Sequence, residues 1–480
     1  MVSHKVEEFA TTRFDPIQVG DSSLGGEINR AEEFARSIRG ESFSVCVVNP
    51  KGTSIVDVSR VSRRHFLMLS AGTAACSFAS RSQNLLAADQ ALDQARADYL
   101  RSIAPTSQRV SQFTELMTPE ESVRRSNGWT YHSELGWVHC DAVHDNGVDG
   151  AKTFYSYEPD GARRVIQSAG QPCRIHAYGN SFTHCDQVSD GETWEEYLAG
   201  HLQEPIRNYG VGGFSVYQAY RRMRAVQSVR DAKYLILNIY DDDHFRNLDA
   251  WRSIRVGAGS NCGFTLPHLR VNMAANHCEP VENLLATRPE VARLREAAYR
   301  ERTFREDPIL RVKMADRMGR EITDQTVREV AESFGYPAQD LPAGSPSFQI
   351  RKIHTEAALF ASGKVVSWFE DFARRTDKRL MVLLSFGRHN MTAALEGQPR
   401  FDQTFVDRLA SKPYPVIDMR DSFRQKYQSF DGSADQFLKP YYNGHHTPAG
   451  NFFTAWAIKN RVVEWLDPAP RPYQDKAQKQ

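Results

Sequence analysis

The feature that most constrains this chain is an alternation of short apolar runs with helix-like stretches across its second half. Residues 173–178, 206–209, 234–237, 380–384 and 415–418 each read as a strand, most clearly in Tyr234-Leu235-Ile236-Leu237 and Leu380-Met381-Val382-Leu383-Leu384. Between and around them, residues 192–203, 215–226 and 354–374 read as helices. Thr193 and Glu196, three apart, have the spacing of a capping box at the start of the first of these. Apolar runs that alternate with helices indicate βαβ units and a parallel sheet. Ligands of such sheets bind beyond the carboxyl ends of the strands, so chemistry is sought there.

Four segments sit beyond those ends. The first is Tyr178-Gly179-Asn180-Ser181-Phe182-Thr183, which puts a serine on a turn directly after a strand. A hydroxyl at its ordinary pKa is a poor nucleophile; it needs a base for its proton and donors for the oxyanion that follows attack. A base is offered by Asn443-Gly444-His445-His446-Thr447-Pro448-Ala449-Gly450, just ahead of a helix-like stretch over 451–466. Donors are offered by Asn208-Tyr209-Gly210-Val211-Gly212-Gly213-Phe214-Ser215, where glycines let the backbone turn N–H groups toward a ligand. The fourth is Leu237-Asn238-Ile239-Tyr240-Asp241-Asp242-Asp243. A lone G-x-S usually marks only a turn, and a lone His-His pair is more often structural. Their shared place beyond strand ends sets this group apart.

In this order the pieces resemble the SGNH (GDSL-type) hydrolases, a family of serine esterases and acyl hydrolases. The resemblance implies a flavodoxin-like, three-layer α/β/α parallel sheet over residues 169–470, with a helical insertion at 249–350. The family block G-D-S-x-[ST] matches Gly179 to Thr183 with Asn180 in place of Asp, and carries the nucleophile onto Ser181. The block N-x-G-x-x-G matches Asn208 to Gly213 and carries an oxyanion role onto Gly213. The last block places the catalytic histidine five residues before a glycine; counting back from Gly450 selects His445. Two departures stand out. Asp241 occupies the register of the family's oxyanion asparagine, and an ionised carboxylate cannot donate to an oxyanion, so either Asp241 is protonated, or Asn238 or another group serves, or the hole is weaker. The positions two and three before His445 hold Asn443 and Tyr442 instead of the family's aspartate, leaving Asp418, Asp421 and Asp435 as the nearest carboxylates in sequence.

The insertion at 249–350 is too long for a plain connection, and residues 289–300 and 322–334 read as helices within it, followed by a loop over 336–346. It serves either as a cover for the site or as peripheral packing. Upstream, residues 89–168 read as a helical and then β-rich extension with aromatics at Tyr131, Trp137, Phe154, Tyr155 and Tyr157, which either pack on the main domain or bind sugar rings. Residues 471–480 read as a disordered tail.

Residues 1–88 carry an address. Arg63-Arg64 followed by a short apolar stretch is a twin-arginine signal, with a small-residue cleavage site near Leu86-Ala87-Ala88; the pair lies unusually far from Met1, so translation is expected to begin downstream, at Val58. A lipid anchor at Cys76 is a minor alternative. The protein is therefore expected to be periplasmic or secreted, with the export machinery as a partner and no membrane span. Cleavage would leave Cys140, Cys173, Cys185, Cys262 and Cys278, an odd number, with Cys262–Cys278 the first expected bridge. Lys plus Arg number 60 against 59 Asp plus Glu, a balance that argues against nucleic acid or an anionic membrane as partner. No cofactor is expected, and no ligand spacing argues for a metal; Asp241-Asp242-Asp243-His244 reads as a solvated turn. The expected activity is serine-dependent hydrolysis of acyl esters, by preference O-acetyl esters of a carbohydrate. The alternatives are a degenerate domain that binds a glycan or envelope polymer, and an O-acyltransferase.

Overall fold

The computed structural model describes residues 91–117, 128–258, 264–319 and 322–477, and the backbone of strands at 6–8, 42–48 and 55–62. By its internal contacts the chain divides into two units, Met1–Ala95 and Arg96–Gln480. The first holds a three-stranded antiparallel sheet of Val6–Glu8, Ser42–Val48 and Ile55–Ser62, with the central strand paired to both others. Arg63-Arg64, Cys76 and the cleavage site at 86–88 lie outside the described residues. No helix of the described residues is long and apolar enough to cross a membrane.

The second unit is a mixed α/β structure around a five-stranded parallel sheet. Its strands are β1 (Ile175–Tyr178), β2 (Ile206–Asn208), β3 (Tyr234–Tyr240), β4 (Arg379–Ser385) and β5 (Val416–Asp418). Their spatial order is 2-1-3-4-5, all neighbours parallel. β1 is buried along its whole length, and β3 and β4 are buried except at one end, which explains their uninterrupted apolar sequences.

The helices that matter for the site are α1 (Ser181–His184), α2 (Trp194–Leu202), α3 (Val216–Val229), α4 (Pro346–Arg375), α5 (Arg388–Leu395) and α6 (Pro448–Trp465). Right-handed crossovers place α2 on one face and α3 and α4 on the other, because the direction of travel across the sheet reverses after β2. Consistently, α2 packs on α6 and α3 on α4.

Caps and prolines set several boundaries. Ser215 and Gln218 form a capping box at the start of α3. Thr193 caps α2 through the amide of Glu196, yet the Glu196 carboxylate accepts from the amides of Ile166 and Gln167, so the reciprocal half of the expected box is absent. The box in this region is Ser189 with Glu192, one 3-10 turn earlier. Helix α4 starts at Pro346 rather than 354, since a proline at the first helical position with Ser345 as cap opens a helix instead of ending a loop.

The insertion is not purely helical. It contains an antiparallel hairpin, His268–Asn272 with His277–Val281, and a helix Pro308–Met318 that the sequence reading omits. The expected helix at 289–300 is broken into Arg288–Ala292, a 3-10 turn and Ala297–Phe304. Cys278 is a buried free thiol, and the partner expected for it, Cys262, lies outside the described residues. The extension before the sheet forms two hairpins, Trp129–His132 with Gly136–His139 and Ala142–His144 with Thr153–Tyr155. Trp137 is buried edge-on against Phe214 and Phe264, so this aromatic packs, while Phe154 is 54% exposed. At the far end the chain is helical over Arg471–Ala477, where a disordered tail was expected; Tyr473 packs on the core and holds it.

Candidate active site

Ser181 opens the short helix α1, three residues beyond the end of β1. Asn180 caps this helix: its side-chain oxygen accepts from the Phe182 amide at 2.7 Å, and its amide group donates to the Asp243 carboxylate. Asn180 thus ties the turn of Ser181 to the segment just after β3 through an N–H donor that an ionised aspartate in its place would lack. Gly179 admits the same turn, because a methyl group there would collide with Thr183 Oγ1 and the Asn238 carbonyl.

The structure places Ser181 Oγ 2.9 Å from His445 Nε2. His445 lies in a two-residue strand, His445–His446, that pairs with Tyr442–Asn443 just before α6. Its other ring nitrogen, Nδ1, stands 3.0 Å from Gln187 Oε1, which also accepts the His445 backbone amide at 2.8 Å. The Gln187 amide is oriented by its neighbours, since Nε2 donates to the Asn146 carbonyl at 3.1 Å and the Gln187 backbone N–H donates to Tyr155 Oη at 2.7 Å. With the Gln187 oxygen turned to the imidazole, Nδ1 carries the hydrogen and Nε2 presents its lone pair to the serine. Gly444, at φ +79°, leaves room for this contact; a Cβ there would sit 2.8 Å from Gln187 Oε1. His446 is buried among the rings of Phe182, Phe423 and Tyr442 and faces away from this chemistry.

The nearest carboxylate to the imidazole is Asp186, whose Oδ2 is 4.0 Å from His445 Nε2. Its Oδ1 accepts from His184 Nδ1, and His184 Nε2 is 2.6 Å from the Tyr157 hydroxyl. Burial works to raise the Asp186 carboxyl, but the adjoining imidazoles, His184 foremost, hold it well below the usual carboxylate range. Burial lowers His445, and Asp186 opposes that effect without cancelling it, while Arg246 adds to it. None of the expected acids reaches His445. Asp418 caps a helix and pairs with Arg400, Asp421 pairs with Arg424, and Asp435 pairs with Arg388. Asn443 donates to the Gly147 carbonyl and Tyr442 to the Phe386 carbonyl.

The glycine turn after β2 lies alongside. Asn208 bridges the two turns, donating to the Thr183 carbonyl at 2.6 Å and accepting from the Gly210 amide at 2.9 Å. Gly210 passes so close to α1 that a Cβ would collide with the amide nitrogen of His184. Gly212 donates its N–H to His139 Nε2 at 2.9 Å, and its carbonyl accepts from Trp137 Nε1 at 2.9 Å. Gly213 follows at φ +79°, beside Trp137 and the buried Arg252.

Asp241 has partners of its own. Its Oδ2 accepts from the Gly387 amide at 3.1 Å and from Asn390 at 2.6 Å, so it braces the loop between β4 and α5. Burial raises its carboxyl. The Asn238 side-chain oxygen accepts from Ser385 within the sheet at 2.6 Å. The turn at 241–244 is not the solvated one expected. Asp243 is buried and accepts from the Tyr240 amide and Arg246, Asp242 is gripped by Arg246 and Arg255, and His244 is buried against Ser362. The arginines of the following segment neutralise the acidic run and let it fold inward.

Among the described residues, one group has the composition to hold a metal ion: His139, His184 and Asp186, with ligand atoms within 4.8 Å of one another. The two imidazoles, however, stack with centroids 4.1 Å apart and planes 21° from parallel, so their in-plane lone pairs run side by side rather than converging. Their hydrogen bonds are also complementary without an ion. Tyr157 donates to His184, His184 to Asp186, Gly212 to His139, and His139 Nδ1 lies 3.3 Å from the Gly128 carbonyl. Burial keeps both imidazoles uncharged near neutrality.

No protein-family model and no curated protein matches the chain. Among solved structures, that of a lipolytic protein assigned to the G-D-S-L family from Desulfitobacterium hafniense DCB-2 aligns over 47% of this chain and 80% of its own, at 12% identity and a TM-score of 0.17. At that score the likeness carries no argument about this chain's chemistry.

Proposed function

We propose that this chain is a serine ester hydrolase of the SGNH type, with Ser181 as nucleophile and His445 as general base and acid. One observation carries the reading: the serine hydroxyl stands 2.9 Å from an imidazole nitrogen whose opposite nitrogen is held by a fixed acceptor. Ser181 Oγ attacks the ester carbonyl carbon while its proton passes to His445 Nε2. Collapse of the tetrahedral adduct expels the alcohol, which takes that proton. Water then attacks the acyl-serine, gives a proton to Nε2, and the serine recovers it as the carboxylic acid leaves. The backbone N–H groups of Ser181 and Gly213 hold the oxyanion in both halves.

The substrate is an acyl ester, by preference an O-acetyl ester on a carbohydrate met outside the cytoplasm. The twin-arginine motif at Arg63-Arg64 and the family resemblance support that preference. The test is hydrolysis of p-nitrophenyl acetate by the full chain beside Ser181→Ala. The expected outcome is activity that disappears in the variant; equal rates in the two proteins would remove the proposal.

A further inference from the structure

The acid of a serine hydrolase triad performs two tasks on one atom group: it fixes the imidazole tautomer, and it supplies negative charge to the imidazolium formed during turnover. Here the two tasks fall to different atoms. Gln187 Oε1 faces Nδ1 of His445 but carries no charge, while Asp186 carries charge yet lies 4.0 Å from Nε2, on the serine side of the ring. We propose that the adjacent residues Asp186 and Gln187 divide the work of the missing triad acid, Gln187 orienting His445 and Asp186 serving as counter-ion to its protonated form.

Several features of the loop are arranged for this division. Gln187 cannot turn its amide around without losing the bond from Nε2 to the Asn146 carbonyl, so its oxygen is committed to the imidazole. Gly444 keeps the approach open. Asp186 is held in place from its far side by the chain Tyr157–His184, which donates to Oδ1 and leaves Oδ2 toward His445. The proton inventory closes: the serine proton moves to Nε2, the Nδ1 hydrogen stays on the Gln187 bond, and Asp186 remains an anion throughout. The other titratable groups acting on His445 are Arg246, which opposes its protonation, and His446, which burial keeps neutral near pH 7.

This inference rests on Ser181 and His445 being the reacting pair, so the test has one arm that needs turnover and one that does not. In the first arm, Asp186→Asn keeps an oxygen to accept from His184 and removes only the charge. The expected result is a fall in kcat of roughly 100-fold for a unit charge lost at this distance, with the acid limb of the pH profile moving roughly two units more acidic, because the anion that favoured imidazolium is gone. Adding Gln187→Glu to Asp186→Asn moves the charge to the other nitrogen and is expected to restore at least about tenfold.

In the second arm, the His445 imidazole is followed by nitrogen-15 NMR titration of the labelled full chain. Wild type is expected to show the Nδ1–H tautomer. Asp186→Asn is expected to titrate lower than wild type, and Gln187→Ala to lose the tautomer preference. An unchanged His445 titration in Asp186→Asn, or an unchanged tautomer in Gln187→Ala, overturns the division of labour whether or not the protein turns over. Failure of the hydrolase reading appears separately, as Ser181→Ala equal to wild type.

Discussion

Arg163 is the residue whose loss tests most sharply how the loop that reaches His445 is held. Its side chain is 1% exposed and stacks over Tyr155. The guanidinium donates to the Asp190 carboxylate at 3.0 Å, to the carbonyls of His184 at 2.5 Å and Cys185 at 2.9 Å, and to that of Val188. These acceptors bracket Asp186 and Gln187, so one arginine gathers the backbone of the loop that reaches His445. In Arg163→Met the side-chain volume is roughly kept, but three buried carbonyls lose their donor and Asp190 loses its counter-ion, keeping only the Ser156 amide. An orphaned buried acceptor costs about 1–3 kcal/mol and a broken buried ion pair about 3–5 kcal/mol. The terms overlap because the loop relaxes as a unit, and about 5 kcal/mol is the expected total. For a unit as long as Arg96–Gln480 the unfolding entropy is about 0.8 kcal/mol/K, so the midpoint falls by about 6 °C in a calorimetric melt. Arg163→Met with Asp190→Asn removes the unpaired charge and should recover about 1–2 kcal/mol of that loss. Ester hydrolysis should fall in both variants, measured well below their melting points, because Asp186 and Gln187 lose their fixed positions. A midpoint within about 2 °C of wild type in the single variant would show that the loop does not depend on the guanidinium.

Two further outcomes are expected. Gly210→Ala drives a methyl group into the His184 amide and should cost about 3 kcal/mol and most of the activity, whereas Gly191→Ala, which meets nothing within 4 Å, should stay within about 0.5 kcal/mol of wild type; paired denaturant titrations compare them. Cys278 should be alkylated completely when the chain is unfolded without reductant and only slowly when native, as peptide mass spectrometry would read; a Cys278 that resists labelling in the unfolded chain would refute the free thiol.

The parts of this fold that can be read from the sequence are those in which one local pattern has one cause. The strands at 234–240 and 380–384 announce themselves because burial on both faces demands unbroken apolar residues. Ser181, the glycine turn and His445 follow because each stands just past an element whose end is visible. Gln187 and Asp186 do not follow, although they are only six and five residues beyond Ser181. Their placement depends on left-handed backbone at Cys185 and Gln187, φ +61° and +72°, which neither residue type signals, and on anchors at Asn146 and Tyr155 far away in sequence. The turn at 241–244 misleads for a similar reason. Three aspartates in a row read as solvated until Arg246 and Arg255 close on them, and Arg255 comes from the insertion. Pro346 misleads because a proline can close a loop or open a helix, and only the Ser345 cap distinguishes the two.

The hairpin that carries Trp137 and His139 takes both backbone groups of Gly212, the carbonyl through an indole and the amide through an imidazole. The glycine turn is therefore steered from a segment that precedes every strand of the sheet and shares none of its hydrogen bonds. Inheritance of the sheet with its serine and histidine would not bring that steering with it. A related chain with the same five strands but other residues at 137 and 139 would keep its serine after β1 and lose the posture of the turn beside it, so divergence of that turn can begin in the hairpin while the sheet stays unchanged.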